Sequence, residues 1–361
     1  MPNRLLVYST QMMSTGGIES HLLHFIKECV RDNIQITFIV LNSQISASNT
    51  LVLEGLCEHV FVNSQGNLSA IKKISWLFTI GYKLRSIIFD GLYTNGQGSS
   101  IMWISKLIRF KNWVHHHHTS GDLADQNTWS NTYRKAMLQA NTVIACSQRN
   151  AFAMKANLNR EIDSIPCFSR NIGASSHKPE SKGGYLEFGY YGRLIPEKGI
   201  DLICKLSEEE DLKHIKFNIW GEGASYPDSF FENFDNVNYH GIFSSDEELK
   251  FILNQLDAFI LLSTHPEGLP ISLLEVMSAG IPWLATNRGG IPDIALNPLT
   301  TQVIPFDLSY QEFKDKVLQF SKDILSGTSQ QEDQIHLYNE KYASPVILHQ
   351  WKKKFFVSST V

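Results

Sequence analysis

Two successive series of short apolar runs, each run followed by a segment with helical spacing, constrain the fold of this chain more than any other feature of its sequence. Arg4–Ser9 and residues 34–41 are apolar or β-branched runs, and Gly17–Arg31 between them has apolar residues at helical spacing. Strands that alternate with helices in this way are typical of βαβ units with a parallel sheet. We therefore expect an α/β fold with a doubly wound, Rossmann-like domain in the first half.

The alternation continues to residue 146 and restarts after residue 184. Further strands are predicted at 90–94, 112–118, 142–146, 186–191, 215–220 and 258–262. Further helices are predicted at 68–85, 99–109, 133–139, 199–207, 246–254 and 271–279. Residues 167–184 are rich in Ser, Gly, Pro and Lys and lack periodicity, which predicts a linker. Domains are therefore expected at 1–170 and 184–343, with a terminal helix at 344–361 that returns to the first domain.

Bulk composition excludes several classes of protein. A chain of 361 residues exceeds the size at which one core stops growing, about 250–300 residues, so two domains are expected. Hydrophobic residues at 43% and charged residues at 19% are typical of globular proteins and exclude a disordered chain. A net charge of −4 argues against a general binder of nucleic acid, which would carry a strongly basic surface.

Targeting signals and cysteine pairs are not evident in the sequence. Residues 1–11 contain a short apolar run without a signal-type cleavage region, so we expect a cytoplasmic protein. No run reaches the roughly 18 apolar residues that a spanning helix needs, so any membrane contact would be peripheral. The five cysteines form no C-x-x-C pair, which indicates buried thiols in a reducing compartment rather than a zinc or redox centre.

The segment 265–280, HPEGLPISLLEVMSAG, follows an apolar strand and turns through proline and glycine into a helix. In open α/β sheets, ligands bind beyond the carboxyl ends of strands, where the N–H groups of helix N-termini favour phosphate. Glu267 lies in the loop and could meet a ligand at its mouth, while Glu275 in the helix could accept hydrogen bonds from hydroxyls deeper along it. The alternative is a pair of solvated surface carboxylates.

A second segment, 188–201, places cations between a strand that ends at Gly192 and a helix that begins near Gly199. Arg193 and Lys198 form a suitable pair to neutralise a diphosphate leaving group without a metal ion. The alternative is two loop cations in surface salt bridges. One domain would then have two loops at strand ends that both suit an anion, which favours a diphosphate site over surface salt bridges.

Together these motifs resemble those of the retaining GT-B glycosyltransferases of family 4 (glycosyltransferase group 1). The resemblance runs through nearly the whole chain and is carried by Tyr191-Gly192-Arg193-Leu194, Glu197-Lys198-Gly199, Trp220-Gly221-Glu222-Gly223, Glu267, Gly268, Glu275 and Gly289-Gly290-Ile291-Pro292. It implies two Rossmann-like domains that face a central cleft, with a nucleotide-sugar donor held by the C-terminal domain and an acceptor by the N-terminal domain. The implied reaction is a retaining, metal-independent hexosyl transfer that needs no cofactor.

The resemblance also implies a role for each residue of the donor site. Arg193 and Lys198 would hold the diphosphate. Glu275 would bind the ribose, and Glu267 the hydroxyls of the transferred sugar. The donor would further be bordered by Gly192, Gly221, Glu222, Gly268, Leu269, Pro270 and Ile271. Ala224 stands where the family often has a proline, so contacts to the base are not assigned.

Glycines also join the first predicted strand to the first helix, in Ser14-Thr15-Gly16-Gly17-Ile18-Glu19. Gly16 and Gly17 let the chain approach a ligand closely, and the start of a helix favours an anion. In the family, glycines at this place close over the donor phosphates.

Four consecutive histidines occupy residues 115–118. Successive side chains of a strand point to opposite faces, so His116 and His118 share one face and His115 and His117 the other, and the four cannot converge on one ion. A metal site formed with other parts of the chain is the less favoured alternative, and we predict none. The resemblance implies that His118 contacts the transferred sugar, and the other three are interpreted as structural histidines.

Two segments combine cations with aromatic residues: the helix around Lys72, Lys73, Trp76, Lys83 and Arg85, and the terminal segment 344–361. We interpret both as amphipathic helices that pack on a domain. Peripheral contact with an anionic membrane is the alternative, and it suits the lipid-linked acceptors that are common in the family. The expected partners are a nucleotide diphosphate sugar and a saccharide or lipid-linked saccharide of surface polysaccharide synthesis, at the inner face of the membrane.

Three other functions are weighed against sugar transfer. A nucleotide-sugar epimerase or hydrolase on the same scaffold is the main alternative, and it would form product without an acceptor. A non-catalytic binding protein would not require the full set of Arg193, Lys198, Glu267 and Glu275. An NAD-type dehydrogenase is disfavoured because no G-x-G-x-x-G follows the first predicted strand.

Overall fold

The computed structural model describes residues 2–13, 16–42, 44, 46–63, 69–173, 185–327 and 331–356. The chain divides into two compact units. Unit 1 comprises residues 1–168 and 344–361, and unit 2 comprises residues 169–343. Each unit is built on one parallel sheet with helical connections, which confirms the predicted α/β class with two Rossmann-like domains.

Unit 1 contains a seven-stranded parallel sheet in the order β3-β2-β1-β4-β5-β6-β7. Its strands are β1 (Arg4–Ser9), β2 (Gln35–Val40), β3 (His59–Val62), β4 (Ile88–Asn95), β5 (Arg109–His117), β6 (Thr142–Ala145) and β7 (Asp163–Ser164). Its helices are α1 (Gly17–Arg31), α2 (Ala47–Leu56), α3 (Ala70–Lys83), α4 (Ser100–Leu107), α5 (Leu123–Asn127), α6 (Asn131–Gln139), α7 (Gln148–Leu158) and the terminal α14 (Ser344–Phe355).

The sheet of unit 1 is buried on both faces. Along β1, Leu6 and Tyr8 belong to one apolar cluster, whereas Leu5 and Val7 belong to the other. This follows from the two-residue period of a strand, and it explains why β1 has a continuous apolar sequence. The terminal helix α14 packs against the second cluster, to which it contributes Trp351 among others.

Unit 2 contains a six-stranded parallel sheet in the order β10-β9-β8-β11-β12-β13. Its strands are β8 (Leu186–Tyr191), β9 (Ile215–Trp220), β10 (Val237–Tyr239), β11 (Ala258–Leu261), β12 (Trp283–Thr286) and β13 (Thr301–Ile304). Its helices are α8 (Ile200–Ser207), α9 (Asp228–Phe231), α10 (Asp246–Leu253), α11 (Ile271–Ser278), α12 (Tyr310–Leu325) and α13 (Gln331–Lys341). Serine side chains cap several helices in both units, for example Ser245 at α10 and Ser309 at α12.

The strands and helices predicted from periodicity are confirmed, with ends that shift by at most a few residues. Of the predicted linker, residues 174–184 lie outside the described part of the chain. The remainder is held in place, since the N–H of Ile172 donates a hydrogen bond to Ser278 Oγ on α11 (3.0 Å). The expectation of buried thiols is wrong for Cys57, which is only half-buried, because it follows α2 near the edge of the sheet. None of the helices in the described ranges is both long enough and apolar enough to span a bilayer.

Candidate active site

The candidate active site lies where the strand order of unit 2 reverses. β8 and β11 are neighbouring parallel strands, although β9 and β10 lie between them in sequence. Ligands of doubly wound folds bind at such a switch point, beyond the carboxyl ends of the strands. Residues 192–198 follow β8 and residues 262–270 follow β11, so the two loops that carry the sequence motifs meet here.

Lys198 and Glu267 form a largely buried ion pair that joins the two loops. Lys198 Nζ lies 2.6 Å from Glu267 Oε1, and the two side chains are 15% and 8% exposed. Ser263 Oγ donates a hydrogen bond to the same oxygen at 2.5 Å. The structure therefore brings together a cation and a carboxylate that the sequence analysis assigned to different parts of a donor.

Glycines allow the backbones around this ion pair to approach closely. Gly199, directly after the lysine, has a φ of 77°, and a Cβ there would overlap the carbonyl group of Leu262 in the facing loop. Gly289 has a φ of 53°, and a Cβ there would overlap the backbone of Glu267. The N–H of Gly290 donates to the Glu267 carbonyl oxygen at 3.1 Å. Gly289 and Gly290, which carry part of the family resemblance, therefore pack against the backbone of Glu267 and hold it in place.

Electrostatics keep the Glu267 carboxyl ionised. Burial by itself would raise its pKa, but the charge of Lys198, the neighbouring His265 and hydrogen bonds from Lys198 and Ser263 hold the pKa below its usual value. The ring of His265 lies 3.5 Å from Glu267 Oε1. Burial lowers the pKa of His265, and the cations Lys198 and Arg193 lower it further, although Glu267 acts in the opposite direction. The site therefore combines a carboxylate and cations around a histidine that is neutral at pH 7.

Glu275 lies on α11 and its carboxylate is buried between an arginine and a tyrosine. Arg170 Nε donates to Oε1 at 2.6 Å, and the Tyr191 hydroxyl donates to Oε2 at 2.9 Å. Burial alone would lower the pKa of Arg170, but Glu275 raises it above its ordinary value. Arg170 was missed by the sequence analysis, because it lies in the segment interpreted as a linker. Its only signal in the sequence was a basic residue at the end of the predicted first domain, whereas the structure places it in unit 2.

The other predicted donor residues of the β8 and β9 loops lie at the same edge of the sheet. Arg193 is exposed and forms no ion pair with any residue of the described ranges. Gly192 and Gly221 pack backbone to backbone, since a Cβ on Gly221 would overlap the carbonyl group of Gly192. Glu222 is exposed and borders an open depression of about 440 Å³ that Ala224 and other residues of unit 2 also line.

Helix α11 begins at Ile271 with Pro270 as its N-cap residue. Gly268 and Leu269 precede this start, and Leu269 is buried. The first N–H groups of a helix have no partner within the helix, and the helix dipole favours an anion there. The residues that were predicted to contact a donor through their backbone therefore lie at a helix N-terminus.

In unit 1, the predicted glycines lie at the start of α1. Gly16 is the N-cap residue with a φ of 152°, and Gly17 is the first helical residue. A Cβ on Gly16 would overlap the carboxylate of Glu19, which accepts a hydrogen bond from the N–H of Met13 at 2.7 Å. Ser14 and Thr15 of the same motif lie outside the described residues.

The four histidines alternate between the faces of β5, as predicted. His115 and His117 both lie within hydrogen-bond distance of the Tyr133 hydroxyl, at 2.9 and 3.0 Å. His117 also contacts Asp125 at 2.8 Å. His116 lies on the opposite face. These three histidines are buried and hydrogen-bonded, as the sequence analysis expected.

His118 lies beyond the end of β5 and is half-buried. Its Nε2 lies 3.4 Å from the Tyr93 hydroxyl, and its Nδ1 faces the thiols of Cys146 (3.7 Å) and Cys167 (3.8 Å). The two thiols were missed as neighbours of the histidines, because 28 and 49 residues of sequence separate them from His118. The predicted contact of His118 with a sugar stays a prediction.

Unit 1 has its own depression at the equivalent switch point, between β1 and β4. Its volume is about 470 Å³. Polar residues that follow the strands line it, among them Gln11, Asn42 and Gln97, and Trp103 of α4 adds an aromatic side chain. Amide groups with one aromatic face are suited to the hydroxyls and apolar face of a saccharide.

Known proteins resemble this chain at two levels: a family model matches most of unit 2, and solved structures match nearly the whole chain. Residues 172–335 match the family model for Glycosyl transferases group 1, a range that contains the β8 and β11 loops. No curated protein sequence matches the chain.

Three of the solved structures that resemble the whole chain serve as examples, and each has the GT-B fold. A glycosyltransferase from Rickettsia africae is 15% identical, with 99% of this chain and 100% of that chain covered and a TM-score of 0.77. TarM of S. aureus is 14% identical, with 98% and 99% covered and a TM-score of 0.76. HepE of Anabaena, in complex with UDP and glucose, is 17% identical, with 97% and 98% covered and a TM-score of 0.74.

Proposed function

We propose that the protein is a glycosyltransferase that moves a hexosyl group from a nucleotide diphosphate sugar to a separately bound acceptor, with net retention. The observation that carries the proposal is the buried ion pair of Lys198 and Glu267 at the switch point of unit 2. It lies within the residues that match the glycosyltransferase group 1 model. A buried carboxylate with a lysine beside it suits a ligand that has both sugar hydroxyls and phosphate charge.

The chemical task is to break the bond between the anomeric carbon and the diphosphate. Negative charge develops on the departing diphosphate, and Lys198, Arg193 and the N-terminus of α11 would stabilise it there. Preorganised charges in a site with little water contribute most to such catalysis. The acceptor hydroxyl attacks the same face that the diphosphate leaves, and a diphosphate oxygen takes its proton. Glu267 would hold the sugar by accepting hydrogen bonds from its hydroxyls.

Glu275 enters the proposal as the contact for the ribose. Arg170 and Tyr191 already donate to its two oxygens. Each carboxylate oxygen can accept more than one hydrogen bond, so a ribose hydroxyl would join these donors or replace one of them.

The acceptor is proposed to be a saccharide or lipid-linked saccharide bound in the depression of unit 1, where Trp103 and the amide side chains provide complementary chemistry. On the adjacent helix α3, Ile71, Phe78 and Tyr82 are exposed beside Lys72 and Lys83. This mixture suits the alternative of peripheral contact with an anionic membrane on the cytoplasmic side. Co-sedimentation with anionic vesicles at low salt would test that contact, and failure to co-sediment would remove it.

The test of the function begins with a thermal-shift panel of UDP, GDP, ADP and their sugars. A ligand that binds only the folded state raises its stability, by about 2.7 kcal/mol at a concentration of one hundred times Kd. We expect one nucleotide and its sugar to raise Tm. Product from that sugar should then require an added saccharide acceptor. Product formed equally fast from the donor alone would instead indicate an epimerase or hydrolase.

Transfer activity is expected to persist in excess EDTA, because Lys198, Arg193 and a helix N-terminus supply the positive charge that a metal ion would otherwise supply. The measurement is the initial rate of transfer with and without chelator, alongside Tm. Loss of activity that magnesium or manganese restores, at unchanged Tm, would contradict a metal-independent reaction.

A further inference from the structure

Four side chains of types that bind metal ions converge in unit 1. They are His116, His118, Cys146 and Cys167, and their ligand atoms all lie within 4.8 Å of one another. The histidines come from the end of β5, Cys146 directly follows β6, and Cys167 lies three residues after β7. These are three neighbouring parallel strands, so their carboxyl ends deliver the four side chains to one edge of the sheet.

The spacing of the ligand atoms matches a tetrahedral zinc site. Zinc bonds of about 2.3 Å to sulfur and 2.0–2.1 Å to nitrogen place neighbouring ligand atoms of a tetrahedron roughly 3.3–3.8 Å apart. The two sulfur atoms are 3.4 Å apart. Cys146 Sγ lies 3.4 Å from His116 Nε2 and 3.7 Å from His118 Nδ1, and Cys167 Sγ lies 3.8 Å from His118 Nδ1. Four of the six separations between ligand atoms therefore already match a tetrahedral site to within tenths of an ångström, and the other two are no longer than 4.8 Å.

The second ring nitrogens of both histidines are directed at one hydroxyl group. Tyr93 Oη lies 2.9 Å from His116 Nδ1 and 3.4 Å from His118 Nε2. Histidines that bind a metal usually give the N–H of the other ring nitrogen to an oxygen, which fixes the tautomer and the orientation of the ring. The Tyr93 oxygen also accepts from Nε2 of His21 at 3.1 Å, because Nδ1 of that ring accepts the N–H of Phe168, and its two lone pairs are then filled by His21 and His116. For His116, the nitrogen that faces the thiol of Cys146 is therefore the one left to bind an ion.

We propose that His116, His118, Cys146 and Cys167 bind a zinc ion. A tetrahedral set of two sulfur and two nitrogen ligands favours zinc among the common divalent metals, and four protein ligands leave no open position for a substrate. The ion has a structural role, because it joins the ends of three strands. It binds with release of the two thiol protons to solvent, so that a charge of 2+ meets two thiolates and two neutral imidazoles.

The bound site would have no net charge, which suits its buried position. His116 and both cysteines are buried, and a neutral cluster carries a smaller desolvation penalty than separate charges would. His118 is half-buried and provides the side from which an ion can enter. With the ion on Nδ1, the ring of His118 keeps its N–H on Nε2.

The test is the metal content of the whole protein, purified under reducing conditions from a zinc-supplied culture. We expect about one zinc ion per chain by elemental analysis. The double variant Cys146→Ser, Cys167→Ser should retain less than about a tenth of it, because loss of metal ligands lowers affinity at least as much as loss of their supporting partners. Cys29→Ser is the matched control, since Cys29 is another buried cysteine of unit 1 outside the cluster.

A spectrum of the unmodified protein makes the test independent of the folding of any variant. Cobalt(II) exchanged into the site should give a thiolate-to-cobalt charge-transfer band and the intense visible bands of a four-coordinate ion. Zinc should then displace the cobalt and remove them. Wild-type protein that binds neither ion, or a double variant with the zinc content of Cys29→Ser, would overturn the proposal. Neither readout depends on sugar transfer, so the proposed function can fail while the metal site stands.

Discussion

Replacement of Lys198 by alanine is expected to lower kcat for sugar transfer about 100- to 1,000-fold, the usual loss when one preorganised charge stabiliser is removed. The ammonium group lies against Glu267 at the switch point and is largely buried, so its charge acts where water screens it little. The donor KM should change much less than kcat, because the charge on the diphosphate increases only as the bond breaks. Steady-state kinetics with varied donor measures both constants.

The matched control is Lys213→Ala, which removes an exposed lysine of the same unit that pairs with exposed Glu210. Its kinetics should equal those of wild type. The pH profile provides a second readout, since Lys198 lowers the pKa of the Glu267 carboxyl. Without the lysine that pKa rises, so the activity that needs an ionised Glu267 should be lost at a higher pH as the solution is acidified. A variant with wild-type kcat would remove Lys198 from the reaction.

The donor loops could be predicted from sequence because their chemistry is local. Each motif lies within a few residues of an apolar strand, and strand ends of a parallel sheet meet at one edge. The meeting of Lys198 with Glu267 follows from that rule, since β8 and β11 are neighbours at the switch point. The direct ion pair between them could not be predicted, because it depends on the closeness that Gly199 and Gly289 permit.

The cluster of His116, His118, Cys146 and Cys167 could not be predicted from the sequence, because its residues are far apart along the chain. Metal sites are recognised in sequences by closely spaced pairs such as C-x-x-C. Here the cysteines are 21 residues apart, and each becomes a neighbour of the histidines only through strand pairing. The alternation of the four histidines was predicted correctly, but it argued only against four ligands from one strand.

Secondary structure was predictable where a segment is apolar and long. β8 and β9 are six-residue strands that are mostly apolar, and their predicted ends agree with the structure. β12 (Trp283–Thr286) has only four residues and β10 only three, so neither shows a measurable period. Helix α7 has no clean apolar face, since its Phe152 is exposed and its Asn150 is buried. Its ends are set by the Ser147 cap and a left-handed Asn159.

Replacement of Arg170 by methionine is expected to lower the free energy of unfolding by about 3 kcal/mol, because it leaves the carboxylate of Glu275 buried without its cation. The Glu275 side chain is 2% exposed, and among the described residues the Tyr191 hydroxyl would be the remaining side-chain donor to its carboxylate. Adding Glu275→Leu should restore most of the loss, since a buried ion pair can often be replaced by apolar side chains without net cost. Tyr191 would keep the Ser272 carbonyl oxygen, 3.1 Å away, as an acceptor. Urea unfolding of the single and double variants measures these changes.

Lys155→Met is the matched control, because Lys155 and Glu161 form an exposed pair that should contribute no more than about 1 kcal/mol. The double variant also separates the two roles of Glu275. It should be nearly as stable as wild type but lack the carboxylate that is proposed to bind the ribose, so its affinity for the donor nucleotide should fall at least about tenfold, the equivalent of one charge-assisted hydrogen bond. If the double variant binds the nucleotide as tightly as wild type does, Glu275 does not bind the ribose and only pairs with Arg170. A single variant as stable as wild type would show instead that the buried carboxylate does not need the arginine.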